Sequence, residues 1–212
     1  MKIALGLLVA GAAIAAPPAQ AQFGVAWSHA PTVAVVSVEG DPRLDLVDEA
    51  VAFWNRSLQE AGVQFRLGSI ERSTGAIPED ALQNLSRSVL HTQSGQPIDM
   101  PRPLLNLPAD LTIFLGESEF ISFAGPFDAN GKRVVGIRGA TFPPLNLPNV
   151  ARNVIAHEIG HAIGLGHNRN AAMLMCGRPA SCRPNAFRSD EARFFPLTDE
   201  ERRELLTLYP SR

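Results

Sequence analysis

Three of the five histidines in this 212-residue chain fall in one stretch, His157-Glu158-Ile159-Gly160-His161-Ala162-Ile163-Gly164-Leu165-Gly166-His167. No other feature limits the fold as tightly. Residues four apart on a helix sit one turn above each other, so His157 and His161 can face a single ion only if this stretch is helical. A third nitrogen cannot come from the same helical face without displacing that ion, so the helix must stop and the chain must turn back. Gly164 and Gly166 permit the backbone angles such a turn needs, and the turn delivers His167. Zinc suits this set: imidazole nitrogens hold it at about 2.0–2.1 Å, and three protein ligands leave a fourth position open, the arrangement of a catalytic rather than a structural site.

Glu158 points beside the two helical histidines, within reach of a water at the open position. Zinc lowers the pKa of such a water from about 15.7 to about 7 and polarises a substrate carbonyl. A carboxylate placed there acts as general base toward the water and then as acid toward the leaving amine, a role worth about 10²–10⁴ in rate. The expected reaction is peptide-bond hydrolysis at one catalytic zinc. A bare H-E-x-x-H arises by chance in unrelated helices, but Gly164 and His167 at their set offsets separate this stretch from that background. His29 and His91, each isolated, read as ordinary surface or core residues.

The rest of the composition offers no competing lead. With 19 Lys and Arg against 21 Asp and Glu, the formal net charge is −2, which creates no field for nucleic acid or an anionic membrane surface. Met1-Lys2, an apolar Ala-, Leu- and Gly-rich run, and Pro17-Pro18-Ala19-Gln20-Ala21 form the pattern of a signal peptide cut after Ala21. The run is shorter than the roughly 20 apolar residues that span a bilayer. Residues 1–21 are therefore expected to be a signal peptide and 22–212 one catalytic domain, exported to a periplasm or the medium, soluble and monomeric. Cys176 and Cys182 are expected to be bonded in an exported protein; two buried thiols, or a regulatory thiol near the metal, have the same spacing.

Along the chain, Thr32 to Val38 reads as a buried strand ending at Glu39-Gly40-Asp41-Pro42. Asp41 as N-cap and Pro42 at the first position open a helix whose Leu44, Val47, Val51, Trp54 and Leu58 recur at helical spacing until Gly62. Val63, Phe65 and Leu67 alternate with polar residues as a half-buried strand does. Asp80 is expected to cap a helix using Leu82, Leu85 and Val89, followed by a Pro-rich loop from Gln96 to Pro108 and a strand over Leu111 to Leu115. Phe120 to Phe127 and Arg133 to Gly139 flank Asp128-Ala129-Asn130-Gly131, a hairpin signal because Asn and Gly tolerate positive φ. A helix from near Asn149 carries the histidines. Thr198 with Glu201 has the form of a capping box opening a last helix anchored by Leu205, Leu208 and Tyr209.

The histidine stretch matches H-E-x-x-H-x-x-G-x-x-H followed by a methionine turn and so resembles the metzincin metalloproteases. Met175, in Ala171-Ala172-Met173-Leu174-Met175, looks like the turn methionine that forms an apolar floor beneath the ligands, with Met173 as the second choice. Ile155 to His167 reads like the active-site helix of the matrixin branch, and Leu197 to Tyr209 resembles its closing helix. The resemblance implies a secreted zinc metalloendopeptidase of the small bacterial kind. Its fold would be an α+β metzincin fold, with a twisted mixed sheet, an antiparallel edge strand, a zinc-binding helix and a C-terminal helix. It further implies that Phe120 to Gly125 binds an extended peptide by strand addition, although the run also suits an ordinary edge strand. A bonded Cys176–Cys182 loop would fall where such enzymes build a wall of their specificity pocket.

The chain departs from the matrixin pattern in several places. No cysteine precedes the histidine helix, so the cysteine-switch form of latency is absent, and little room remains for a propeptide. Asn168, rather than Ser or Thr, follows His167. No tyrosine stands beside Met175, and the histidines of a second, structural zinc are missing. Calcium stays open through Asp128 or other carboxylates, with no dense oxygen-ligand loop. The competing readings are a catalytically silent metzincin-scaffold binding protein, against which Glu158 argues, and hydrolysis of a non-peptide amide.

Overall fold

The computed structural model describes residues 26–91, 98–127, 131–177, 182 and 184–210. The expected signal peptide, residues 1–21, and Asp128 lie outside the described residues. Five strands and four helices follow in the order β1 (Val33–Ser37), α1 (Leu44–Glu60), β2 (Ile70–Thr74), α2 (Glu79–His91), β3 (Leu111–Leu115), β4 (Phe123–Phe127), β5 (Arg133–Ile137), α3 (Pro148–Ala162) and α4 (Asp199–Leu208). Short 3-10 turns occur at Arg102–Leu104 and Pro184–Phe187.

The strands form one mixed sheet in the order β2-β1-β3-β5-β4. All neighbours are parallel except β4, which runs antiparallel to β5 along the edge. The central strands are continuous apolar runs because both faces are covered, as parallel sheets require. Val33, Val35, Ile113, Val135 and Ile137 face α1 and α3 and join Trp54, Leu58, Ile155 and Ile159 in the main core. The alternate residues Phe114 and Val134 face α2 and pack with Leu82 and Leu85. The period of two along each strand thus sorts side chains between two layers.

Helix α1 ends as its sequence indicates, with Gly62 at φ +80°. Its start differs from expectation: Arg43 occupies the cap position, and no side chain caps the helix. Asp41 instead accepts from the Arg43 backbone N–H at 2.8 Å and from its guanidinium at 2.9 and 2.5 Å. That guanidinium also donates to the carbonyls of Gly116 and Arg138. A buried cation here engages the carboxylate that the helix end would otherwise use.

The alternating run Val63 to Leu67 is not a strand. The Asn55 side chain takes both backbone groups of Leu67, accepting from its N–H at 2.8 Å and donating to its carbonyl at 3.1 Å. Sheet pairing begins only at Ile70, opposite Val33. Asp80 lies inside the first turn of α2 rather than before it. The hairpin, the histidine helix and the closing helix stand where the sequence indicates, and both halves of the Thr198–Glu201 capping box are formed.

Candidate metal centre

Helix α3 begins with Pro148 at its first turn, where the missing N–H is harmless and φ is already set. It is buried along its whole length between α1 and the sheet, and the Trp54 indole N–H of α1 donates to the Ala156 carbonyl at 2.8 Å. The helix stops at Ala162, and Gly164 turns the chain at φ +113°. Gly166 is not among the residues with positive φ, so the turn rests on Gly164 alone.

The turn brings the third histidine back onto the first two. The Nε2 atoms of His157, His161 and His167 lie 3.0 Å (157–161), 2.9 Å (161–167) and 3.2 Å (157–167) apart. His157 and His161 are buried, while His167 is exposed, so the cluster opens to solvent on one side. The Nδ1 of His157 faces the Leu174 carbonyl at 2.7 Å, and the Nδ1 of His161 faces the Leu165 carbonyl at 2.8 Å. A carbonyl can only accept, so in each ring Nδ1 carries the hydrogen and Nε2 a lone pair. Burial holds both rings neutral, pulling His157 from 6.5 to about 4 and His161 well below its usual value.

Two lone pairs 3.0 Å apart repel unless a cation lies between them, so the donor chemistry fits a metal. A zinc ion at about 2.0–2.1 Å from each nitrogen can be reached from one point over this triangle, which leaves its outer side open. Among the described residues this is the one cluster of three or more metal-ligating side chains.

Glu158 is buried beside the histidines. Burial alone raises it from 4.5 to about 8. Met175 is fully buried, and a Cβ placed on Gly160 would come within 2.5 Å of its sulphur and 2.8 Å of the Trp54 ring. The thioether thus lies against the helical turn between the two buried histidines, whereas Met173 is only half-buried. Cys176 and Cys182 are bonded.

Several contributors carry no sequence signal that spacing could reveal. The carbonyls of Leu165 and Leu174 fix the ring tautomers, yet any residue supplies a carbonyl. Gly177 packs against His167 so closely that a Cβ there would collide with the imidazole. Arg133 of β5 donates to the Ala162 carbonyl at the end of α3 and lies 3.6 Å from the centre of the Trp27 ring. The Tyr209 hydroxyl donates to Ile163 at 2.8 Å. Gly160 was readable in principle, because a glycine between two histidines spaced one helical turn apart marks a close approach.

No protein-family model matches the chain, and no curated protein sequence is similar to it. Among solved structures it resembles archaemetzincin from Methanopyrus kandleri, with TM-score 0.50 and 16% identity over 90% of this chain and 97% of that one. Metalloproteinase-II from Bacteroides fragilis matches at TM-score 0.47 and 14% identity, over 89% of this chain and 55% of that one. The chain has a zincin-like fold, with a mixed sheet edged by an antiparallel strand and three histidines converging where a zinc ion fits.

Proposed function

We propose that this chain is an exported zinc endopeptidase of the metzincin type, near the matrixin branch, with His157, His161 and His167 as ligands and Glu158 as general base. The carrying observation is the pair of buried imidazoles whose Nε2 lone pairs face each other at 3.0 Å while both Nδ1 atoms face carbonyls. When bound, zinc supplies Lewis acidity toward a peptide carbonyl and toward water. Glu158 would receive the proton of the attacking water and deliver it to the departing amine. Leu165 and Leu174 keep the two buried rings oriented. The β4 edge offers backbone groups for an extended peptide, the geometry of strand addition.

Export is supported by the residue pattern of 1–21 and by the Cys176–Cys182 bond, which suits an oxidising compartment. No helix among the described residues is long and apolar enough to cross a membrane. The test is cleavage of denatured casein by the purified protein, with and without a chelator, beside Glu158→Ala. Chelator-sensitive cleavage, reduced about 10²–10⁴-fold in the zinc-loaded variant, is the expected result. A zinc-loaded wild type inert on casein and on a peptide library would favour the silent-scaffold reading instead.

A further inference from the structure

His157 and His161 are set by a buried helix, but His167 stands exposed on the loop beyond it. Something other than burial must hold that third ring. The residue bonded to it, Asn168, has all four of its polar functions engaged. Its backbone N–H donates to the Met175 carbonyl at 2.8 Å, and its carbonyl accepts from Gly177 at 3.2 Å. Its side-chain oxygen accepts from the Asn170 N–H at 2.8 Å, and its side-chain amide donates to Glu201 Oε1 at 2.7 Å. Glu201 is 4% exposed, and its other oxygen accepts from the Thr198 N–H at 2.7 Å in the capping box of α4.

We propose that the Asn168–Glu201 pair is the positioning device for His167, tying the third metal ligand to the start of α4. The proposal rests on the zinc reading above. One carboxylate serves two ends: Oε2 closes the helix cap, and Oε1 anchors the ligand loop. The requirement at 168 is a side chain that donates to a carboxylate while accepting from a backbone N–H two residues on. Asparagine meets it; aspartate has no donor, and alanine has neither group. Partners that orient metal ligands typically set affinity by about 10–100-fold when removed.

Zinc affinity would be measured by competition with a chromophoric chelator, and site geometry by the visible spectrum of the cobalt-substituted protein. Asn168→Ala and Glu201→Ala should each weaken zinc binding by about 10–100-fold and alter the cobalt bands. The double variant should be no worse than the weaker-binding single one, because the two residues act as a unit. Thr198→Ala is the control: it breaks the cap bond to Glu201 but keeps the Glu201–Asn168 contact, so it should lower the melting temperature with little change in zinc affinity. Unchanged affinity in Asn168→Ala, or an equal loss in Thr198→Ala, would overturn the proposal. A wild type that binds no zinc would instead overturn the reading on which it rests.

Discussion

Glu158 and His157 neighbour each other in sequence, yet burial drives their proton equilibria in opposite directions. The Glu158 carboxyl rises from 4.5 to about 8, so between those values the metal-free folded chain keeps a proton that the unfolded chain has released. Its contribution to stability is complete below pH 4.5 and is lost as pH rises through about 8. His157, held at about 4 against 6.5, behaves inversely: its contribution is present above pH 6.5 and lost as pH falls toward 4. Replacing Glu158 by Gln removes only the first slope. The metal-free variant should therefore gain stability over the metal-free wild type between pH 4.5 and pH 8, reaching a few kcal/mol at the upper end, since each unit is worth about 1.4 kcal/mol. Urea unfolding at both pH values measures this, and a difference that does not grow with pH would contradict the desolvated carboxylate. Gly177→Ala makes a second case at this scale. Its methyl meets the His167 ring, so zinc affinity should drop by about 10–100-fold in a competition titration; unaltered affinity would mean that the loop gives way freely.

At the scale of elements, legibility followed the strength of local signals. Strand β3, the β4–β5 hairpin, the histidine helix and the α4 capping box each carried their own signature, and each formed, with α3 beginning one residue earlier, at Pro148, than the expected start near Asn149. The misreadings came where another side chain took a backbone group or a carboxylate that the local pattern had assigned elsewhere. Asn55 holds Leu67 outside the sheet, and Arg43 claims Asp41. Strand β2, Ile-Glu-Arg-Ser-Thr, is mostly exposed and pairs only with β1, so no apolar alternation announces it. The end of α3 shows the same dependence on partners far along the chain, with Arg133 on Ala162 and Tyr209 on Ile163. Tyr209→Phe leaves the Ile163 carbonyl without that donor and should cost about 1–3 kcal/mol in chemical denaturation. A cost near zero would show that the carbonyl finds water or another partner.

Taken as a whole, the molecule is a sheet covered on two faces, with α2 on one and the α1–α3 pair on the other, so the histidine-bearing part of α3 belongs to the most buried layer. The histidine triad was legible because metal chemistry demands residue types at fixed offsets. Its supports were not, because Leu165 and Leu174 contribute only carbonyls, and Asn168 and Glu201 meet across 33 residues. The central claim is that three lone pairs converge on one cation, and zinc titration of the chelator-stripped protein beside His161→Ala tests it most directly. A single tight equivalent per chain in the wild type, with affinity lost by orders of magnitude in the variant, is the predicted result. A wild type that takes up no zinc, or a variant that binds it as tightly, would contradict the account.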